Sequence, residues 1–175
     1  MAYTLQDFCQ DSHSILAGDA PLQDRIDAVA HKLGGLLREP DFVAATFNAD
    51  TPPGRRELYH DPELDFYVLA HVQEGGKRGS PHSHGASWAI YGNATDLTRM
   101  REFRRINPDS EESWVLEQTA EYDMRIGDTK AYGPGHIHST EHPQTCWVVR
   151  VTGTDLDQIP RYRFRKLRDR VLEKT

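Results

Sequence analysis

The chain has only two cysteines, Cys9 and Cys146, in 175 residues. Two thiols are too few for a disulfide framework or a cysteine-rich zinc site, so both are expected to be reduced thiols in a cytoplasmic protein. No run of about 18 apolar residues occurs, which excludes a helical membrane span. The opening MAYTLQDFCQDSH has neither a basic start nor an apolar stretch after it, so no secretory signal is expected. Positive charge is not in excess. The formal net charge of −6 argues against nucleic acid as a partner. With 37% hydrophobic and 27% charged residues, the composition is that of a globular protein able to form one core, and one domain over residues 1–175 is expected.

Histidine, by contrast, is plentiful and clustered. Five of nine histidines fall in two short windows, Pro81-His82-Ser83-His84-Gly85 and Pro134-Gly135-His136-Ile137-His138-Ser139-Thr140-Glu141-His142. Neutral imidazole is the commonest side-chain ligand for transition metals. Side chains of an extended segment alternate with period two, so an H-x-H pair presents both rings on one face. A third ring from a distant strand would cap one side of a metal and leave other positions open for substrate.

The order of elements gives that pair a setting. Residues 1–40 read as helical. Pro21-Leu22-Gln23-Asp24 suits a first turn, and Leu22, Ile26, Val29, Leu33 and Leu37 form one apolar stripe, with Gly34-Gly35 weakening its end. From 42 to 153 the pattern is short strands and turns. Strands are expected over Asp65–Val72, Ser87–Tyr91, Thr95–Ile106, Ser113–Met124 and Thr145–Val151. Turns are expected at Gly75–Gly79, Asn107-Pro108-Asp109-Ser110 and Gly127-Asp128. Residues 154–175 read as a charged tail, whose Arg161, Arg163 and Arg165 share an outer, salt-bridged face.

Gly76 is followed by five residues and then His82-Ser83-His84. Gly127 is followed by five residues, Gly133-Pro134-Gly135, two more residues, and His138. These two spacings resemble the paired motifs of the cupin superfamily, with Gly133 where proline is usual and His142 where asparagine is common. The resemblance implies an all-β fold, a double-stranded β-helix (jelly-roll) barrel over 42–153, with α-helices at its N-terminal side. Most cupins carry a glutamate four or five residues after the second histidine. Here those positions are Trp88 and Ala89, which cannot bind metal. The three-histidine variant is similar to the thiol dioxygenases, the cysteine dioxygenase group. The run His82-Ser83-His84-Gly85-Ala86-Ser87-Trp88-Ala89-Ile90-Tyr91-Gly92 and the ending Arg150-Val151-Thr152-Gly153-Thr154 resemble its bacterial members.

That resemblance implies ferrous iron held by His82, His84 and His138, with a small-molecule substrate and dioxygen at adjacent positions and a sulfinate formed from a thiolate. Zinc, nickel or copper would also suit three imidazoles. Three neutral ligands leave the metal its full charge, which favours an anionic substrate. Animal cysteine dioxygenases have an arginine shortly after a tyrosine, where this chain has Tyr59-His60-Asp61. Ala89 and Thr152 stand where the crosslinked cysteine and tyrosine would fall. L-cysteine is therefore not the expected substrate, whereas another small thiol acid or an enolate is. The alternatives are a cupin metalloenzyme of other chemistry (diketone cleavage, isomerisation or hydrolysis) and a non-catalytic metal- or small-ligand-binding module. A homodimer is a candidate assembly.

Beyond the triad, His142 and Tyr132 are the candidate catalytic residues. His142 would line the pocket, and the Tyr132 hydroxyl would reach its mouth. His136 is assigned to the turn. His71, Trp88, Tyr91 and Trp147 are assigned to the core. Of the arginines between 99 and 105, Arg99 and Arg101 share one face, from which one could meet an anionic substrate.

Overall fold

The computed structural model describes residues 2–48, 50–108, 111, 113–167 and 171–174. Three helices come first: α1 (Leu5–Leu16), α2 (Leu22–Leu36) and α3 (Pro40–Thr46). Helix α1 starts at a capping box, in which Thr4 Oγ1 accepts from the Asp7 amide and the Asp7 carboxylate accepts from the Thr4 amide. Helix α2 buries the expected stripe, with Ile26, Val29, Leu33 and Leu37 closed off from solvent. It runs through Gly34-Gly35 to Leu36 because burying each large aliphatic side chain gives roughly 1.5–3 kcal/mol, more than the roughly 1 kcal/mol a glycine costs in a helix. Helix α3 departs from the expectation that strands begin at Phe42. Pro40 in the first turn, followed by Asp41, starts a helix that buries Phe42.

Eleven strands follow among the described residues: β1 (Gly54–His60), β2 (Tyr67–Gln73), β3 (Lys77–Arg78), β4 (Ala89–Asn93), β5 (Thr98–Arg105), β6 (Trp114–Met124), β7 (Thr129–Tyr132), β8 (Ile137–His142), β9 (Cys146–Thr152), β10 (Phe164–Leu167) and β11 (Val171–Lys174). Asp109 and Ser110 of the expected turn lie outside the described residues. One sheet has the order β1-β2-β9-β4-β7 and the other β10-β11-β6-β5-β8-β3. Strands β2 to β9 thus supply four neighbours to each sheet, β2-β9-β4-β7 and β3-β8-β5-β6, with the chain passing from sheet to sheet. That is the eight-stranded jelly roll, or double-stranded β-helix. Among the described residues no ladder joins the two sheets, so the expected barrel is two facing sheets.

The molecule has three layers. On the helix side of the first sheet, Val68, Ala70, Val72, Ile90, Val149 and Val151 pack with α1–α3. Gly92 permits this approach, since a Cβ there would stand 2.5 Å from Leu37 Cδ1. Between the sheets, Ala89, Tyr91, Cys146 and Val148 from the first meet Met100 and Met124 from the second. Strand β9 is therefore covered on both faces, which explains its nearly unbroken apolar run. The outer face of the second sheet carries cross-strand ion pairs, Arg99–Asp123 at 2.9 Å and Arg104 with Glu117. Arg101 joins them, bound to Glu121 and Glu141, so neither Arg99 nor Arg101 points towards the interior.

The segment expected to be a charged tail is part of the sheet system. Ser83 donates its amide to the Tyr162 carbonyl, Phe164 donates to the Pro81 carbonyl, and Phe164 is fully buried. The alternation of Tyr162 and Phe164 with Arg161 and Arg163 is the period of a strand with one covered face.

Candidate metal centre

His82 and His138 form an isolated antiparallel bridge, exchanging both amide–carbonyl bonds at 2.9 and 3.0 Å. Directly opposed residues of this kind present their side chains to the same face. His84, two residues on, joins them. The ring centroids lie 4.6 Å (His82–His138), 4.9 Å (His84–His138) and 5.3 Å (His82–His84) apart. One donor nitrogen from each lies within 4.8 Å of the others, the only such group of three His, Cys, Asp or Glu side chains among the described residues. The arrangement needs the turn at Gly85, whose φ of +59° and contact with the Pro160 carbonyl leave no room for a Cβ.

The chemistry of the set fits a transition metal. Burial pushes the His82 imidazole down to about 4 and His84 to about 2, with neighbouring cationic groups adding to it. Burial likewise drives His138, wholly inaccessible, well below the ordinary imidazole range. All three are neutral near pH 7, the state in which imidazole donates a lone pair to a metal. His82 Nδ1 lies 3.1 Å from the Ser80 carbonyl, an acceptor that fixes the proton on Nδ1 and frees Nε2. Trp88 packs against the helix-side core, and Ala89 lies inside beside Tyr91, so neither brings a carboxylate to the triad.

His142 is buried on the same face of β8 as His138. Its Nδ1 lies 3.1 Å from Cys146 Sγ and 3.3 Å from Thr98 Oγ1, and burial lowers its pKa. Tyr132 is also buried, and its hydroxyl lies 2.7 Å from the Tyr122 hydroxyl, which in turn donates to Glu102. The Tyr132 ring stacks on His138, centroids 4.3 Å apart and planes within 12°. His136 lies in the turn before β8, as expected, 3.5 Å from Glu102. His71 is buried, and its Nε2 has no hydrogen-bond partner among the described residues.

Two features were not legible as site residues. Tyr91, assigned to the core, reaches the triad: its Oη is 3.2 Å from both His84 Nε2 and His138 Nε2. A cavity of about 200 Å³ is lined by His82, Tyr91 and His142 together with Arg150, Arg161 and Arg163. Arg161 and Arg163 belong to the supposed outer face of the tail, yet they line this cavity. No carboxylate is among the described lining residues, an unusual local balance in an acidic protein. Arg161 is paired to Asp157 at 2.8 Å, whereas Arg150 Nε is buried without a hydrogen-bond partner among the described residues. A larger hollow of about 860 Å³ beside α1 and Tyr59 contains no triad residue, so donor chemistry rather than volume marks the site.

No protein-family model matches the chain, and neither does any curated protein. Solved structures with partial likeness include KdgF from Halomonas sp. (15% identity, TM-score 0.44, covering 60% of this chain and 82% of that one). Another is a cupin-2 domain containing protein from Shewanella frigidimarina (13%, 0.44, 61% and 84%). A third is a conserved protein with a double-stranded β-helix domain from Klebsiella pneumoniae (15%, 0.44, 69% and 91%). At such identities and TM-scores they say nothing of chemistry. The strand order defines the class: a jelly-roll fold of the double-stranded β-helix type, with a histidine triad suited to a metal ion. No described helix is long and apolar enough to cross a membrane.

Proposed function

We propose that this protein is an iron-dependent dioxygenase that converts a small anionic thiol to its sulfinate. The observation that carries the reading is a donor set of three neutral imidazoles, two buried and one half-buried, without a carboxylate, beside a small arginine-lined cavity. Ferrous iron would supply the coordination positions at which dioxygen and a thiolate meet and would relay the four electrons that pass from sulfur to dioxygen, R–SH + O2 giving R–SO2H. His82, His84 and His138 would hold it.

The remaining residues bind and orient. Arg150 offers a cation with an unpartnered Nε to an acidic group on the substrate, worth roughly 1.5–3 kcal/mol for a hydrogen bond to a charged group. His142, its Nδ1 engaged by Cys146 and Thr98, has Nε2 left to meet the substrate. Tyr132, stacked on His138, is a positioning residue that holds that imidazole in plane. A cavity of about 200 Å³ limits the substrate to a few heavy atoms beyond the metal-binding end.

Purified protein loaded anaerobically with ferrous iron is expected to hold up to one iron per chain. It should consume dioxygen with short thiol acids and do so less with neutral thiols. His138→Ala should lose most of the metal, measured by elemental analysis. Full retention by that variant would remove His138 from the donor set. Iron-loaded protein that consumes no dioxygen with thiol acids or with diketones would instead favour a binding module.

A further inference from the structure

Tyr91 stands on the interior face of β4, two residues beyond Ala89, and its hydroxyl meets two members of the triad at once. Both Oη–Nε2 separations, to His84 and to His138, are 3.2 Å. A phenol has one proton, so it can donate to only one of these nitrogens at a time. Once both nitrogens give their lone pairs to a metal, neither can accept that proton. The side chain is 7% exposed and held edge-on to Tyr132 and His138, with centroids 6.0 and 5.2 Å away, so the hydroxyl has little freedom to find another acceptor.

The distances indicate what takes its lone pair. With metal–nitrogen and metal–oxygen bonds of about 2.0–2.1 Å, neighbouring donors stand roughly 3.3 Å apart in a tetrahedral site and about 2.9 Å apart at right angles. The observed 3.2 Å lies between these edges for both nitrogens. We propose that Tyr91 is a fourth metal ligand, supplying a phenolate oxygen from the strand on which cupins usually carry a carboxylate. Ala89 and Tyr91 share the interior face of β4, and the longer tyrosine reaches across what the shorter residue leaves open. On ligation the O–H bond breaks, its proton passes to solvent, and an Oη–metal bond forms. The centre then has three neutral donors and one anionic donor, and a six-coordinate ion keeps two positions for substrate and dioxygen. This rests on the reading that the histidine triad holds a metal.

The test uses the whole protein with iron alone. After ferrous loading and oxidation to the ferric state without substrate, a phenolate ligand gives an intense visible charge-transfer absorption, and excitation into it enhances phenolate ring vibrations in the resonance Raman spectrum. Both are expected in the unaltered protein. Tyr91→Phe, which removes only the oxygen, should abolish the band and weaken iron binding at least roughly tenfold, the lower end of what lost support around a metal site costs. Iron bound by the unaltered protein without the band overturns the ligand assignment and leaves the triad standing. A band that survives in an iron-loaded Tyr91→Phe protein overturns it too. No iron bound by the unaltered protein at any concentration overturns the triad and the phenolate together. The Raman measurement needs no variant, so a folding defect in Tyr91→Phe would not blunt the test.

Discussion

Arg150 shows at the scale of one residue how a sequence position acquires a meaning its neighbours do not carry. In sequence it interrupts the apolar run of an expected buried strand. In the folded chain β9 points it between the sheets, with its guanidinium carbon 5.9 Å from the Tyr91 ring centroid and Nε lacking a hydrogen-bond partner among the described residues. An inward cation beside a metal cavity is costly unless something anionic meets it. On the proposed function, Arg150→Gln should raise KM for a thiol acid by roughly 10–100-fold, the equivalent of losing one charge-assisted hydrogen bond. A neutral thiol of the same length should be almost unaffected. Steady-state kinetics on the pair measures the difference. An equal change for both would assign Arg150 to packing rather than recognition. Asp61, expected to stand where a substrate-binding cation belongs, has a structural use: it accepts from the amides of Glu63 and Leu64 and from Tyr59, and it lies 2.8 Å from His13 Nδ1.

Elements place the triad more firmly than any one side chain does. The loop 81–85 is gripped on both sides, by β8 through the His82–His138 bridge and by the 162–164 segment through Ser83 and Phe164. Gly85 closes the grip, and its carbonyl accepts from the Gly135 amide at 2.9 Å. A Cβ at Gly85 would stand 2.2 Å from the Pro160 carbonyl oxygen on a left-handed backbone, so the loop must shift to accommodate one. Gly85→Ala is expected to cost about 1–3 kcal/mol in chemical denaturation. It should also weaken metal binding, because His84 is the adjacent residue. Calorimetric titration of the apo-protein with metal reads the second effect. Unchanged affinity would mean that His84 does not depend on this turn.

Across the whole molecule, the helices cover one face of the first sheet, and the site occupies the space between the sheets. Asp61 joins the two regions of chain that make the helix side, α1 through His13 and the end of β1 through Tyr59. Burial alone would raise its pKa, but the two amides, His13 and Tyr59 together hold it below the usual carboxylate range. A carboxyl depressed on folding contributes stability that is present above its unfolded pKa of about 3.9 and is lost as the pH falls through the folded value. Asp61→Asn should therefore lower Tm near neutral pH. The gap between variant and parent should narrow as the pH drops below about 4, where the parent's advantage disappears. Thermal melts over a pH series give both. A gap that is constant with pH would show that charge is not what Asp61 contributes.

The sequence by itself determined the parts set by local periodicity: the α2 stripe, the strands β2, β4, β5, β6 and β9, and the three histidines whose spacing from glycine turns marked them together. These are short-range patterns, because a helix repeats at 3.6 residues and a strand at two, whatever lies opposite. The tertiary structure decided what depends on which face meets which. It brought the hydroxyl of the core residue Tyr91 to the triad, brought Arg161 and Arg163 round to the cavity with Arg150, and tied the Tyr132 hydroxyl to Tyr122. It also made α3 a helix and the supposed tail a pair of strands. The helix and the strands carry local signals, Pro40-Asp41 and the alternation over 161–164, whereas the placements of Tyr91, Tyr132 and the arginines rest on contacts between segments that only the packing of two sheets brings together.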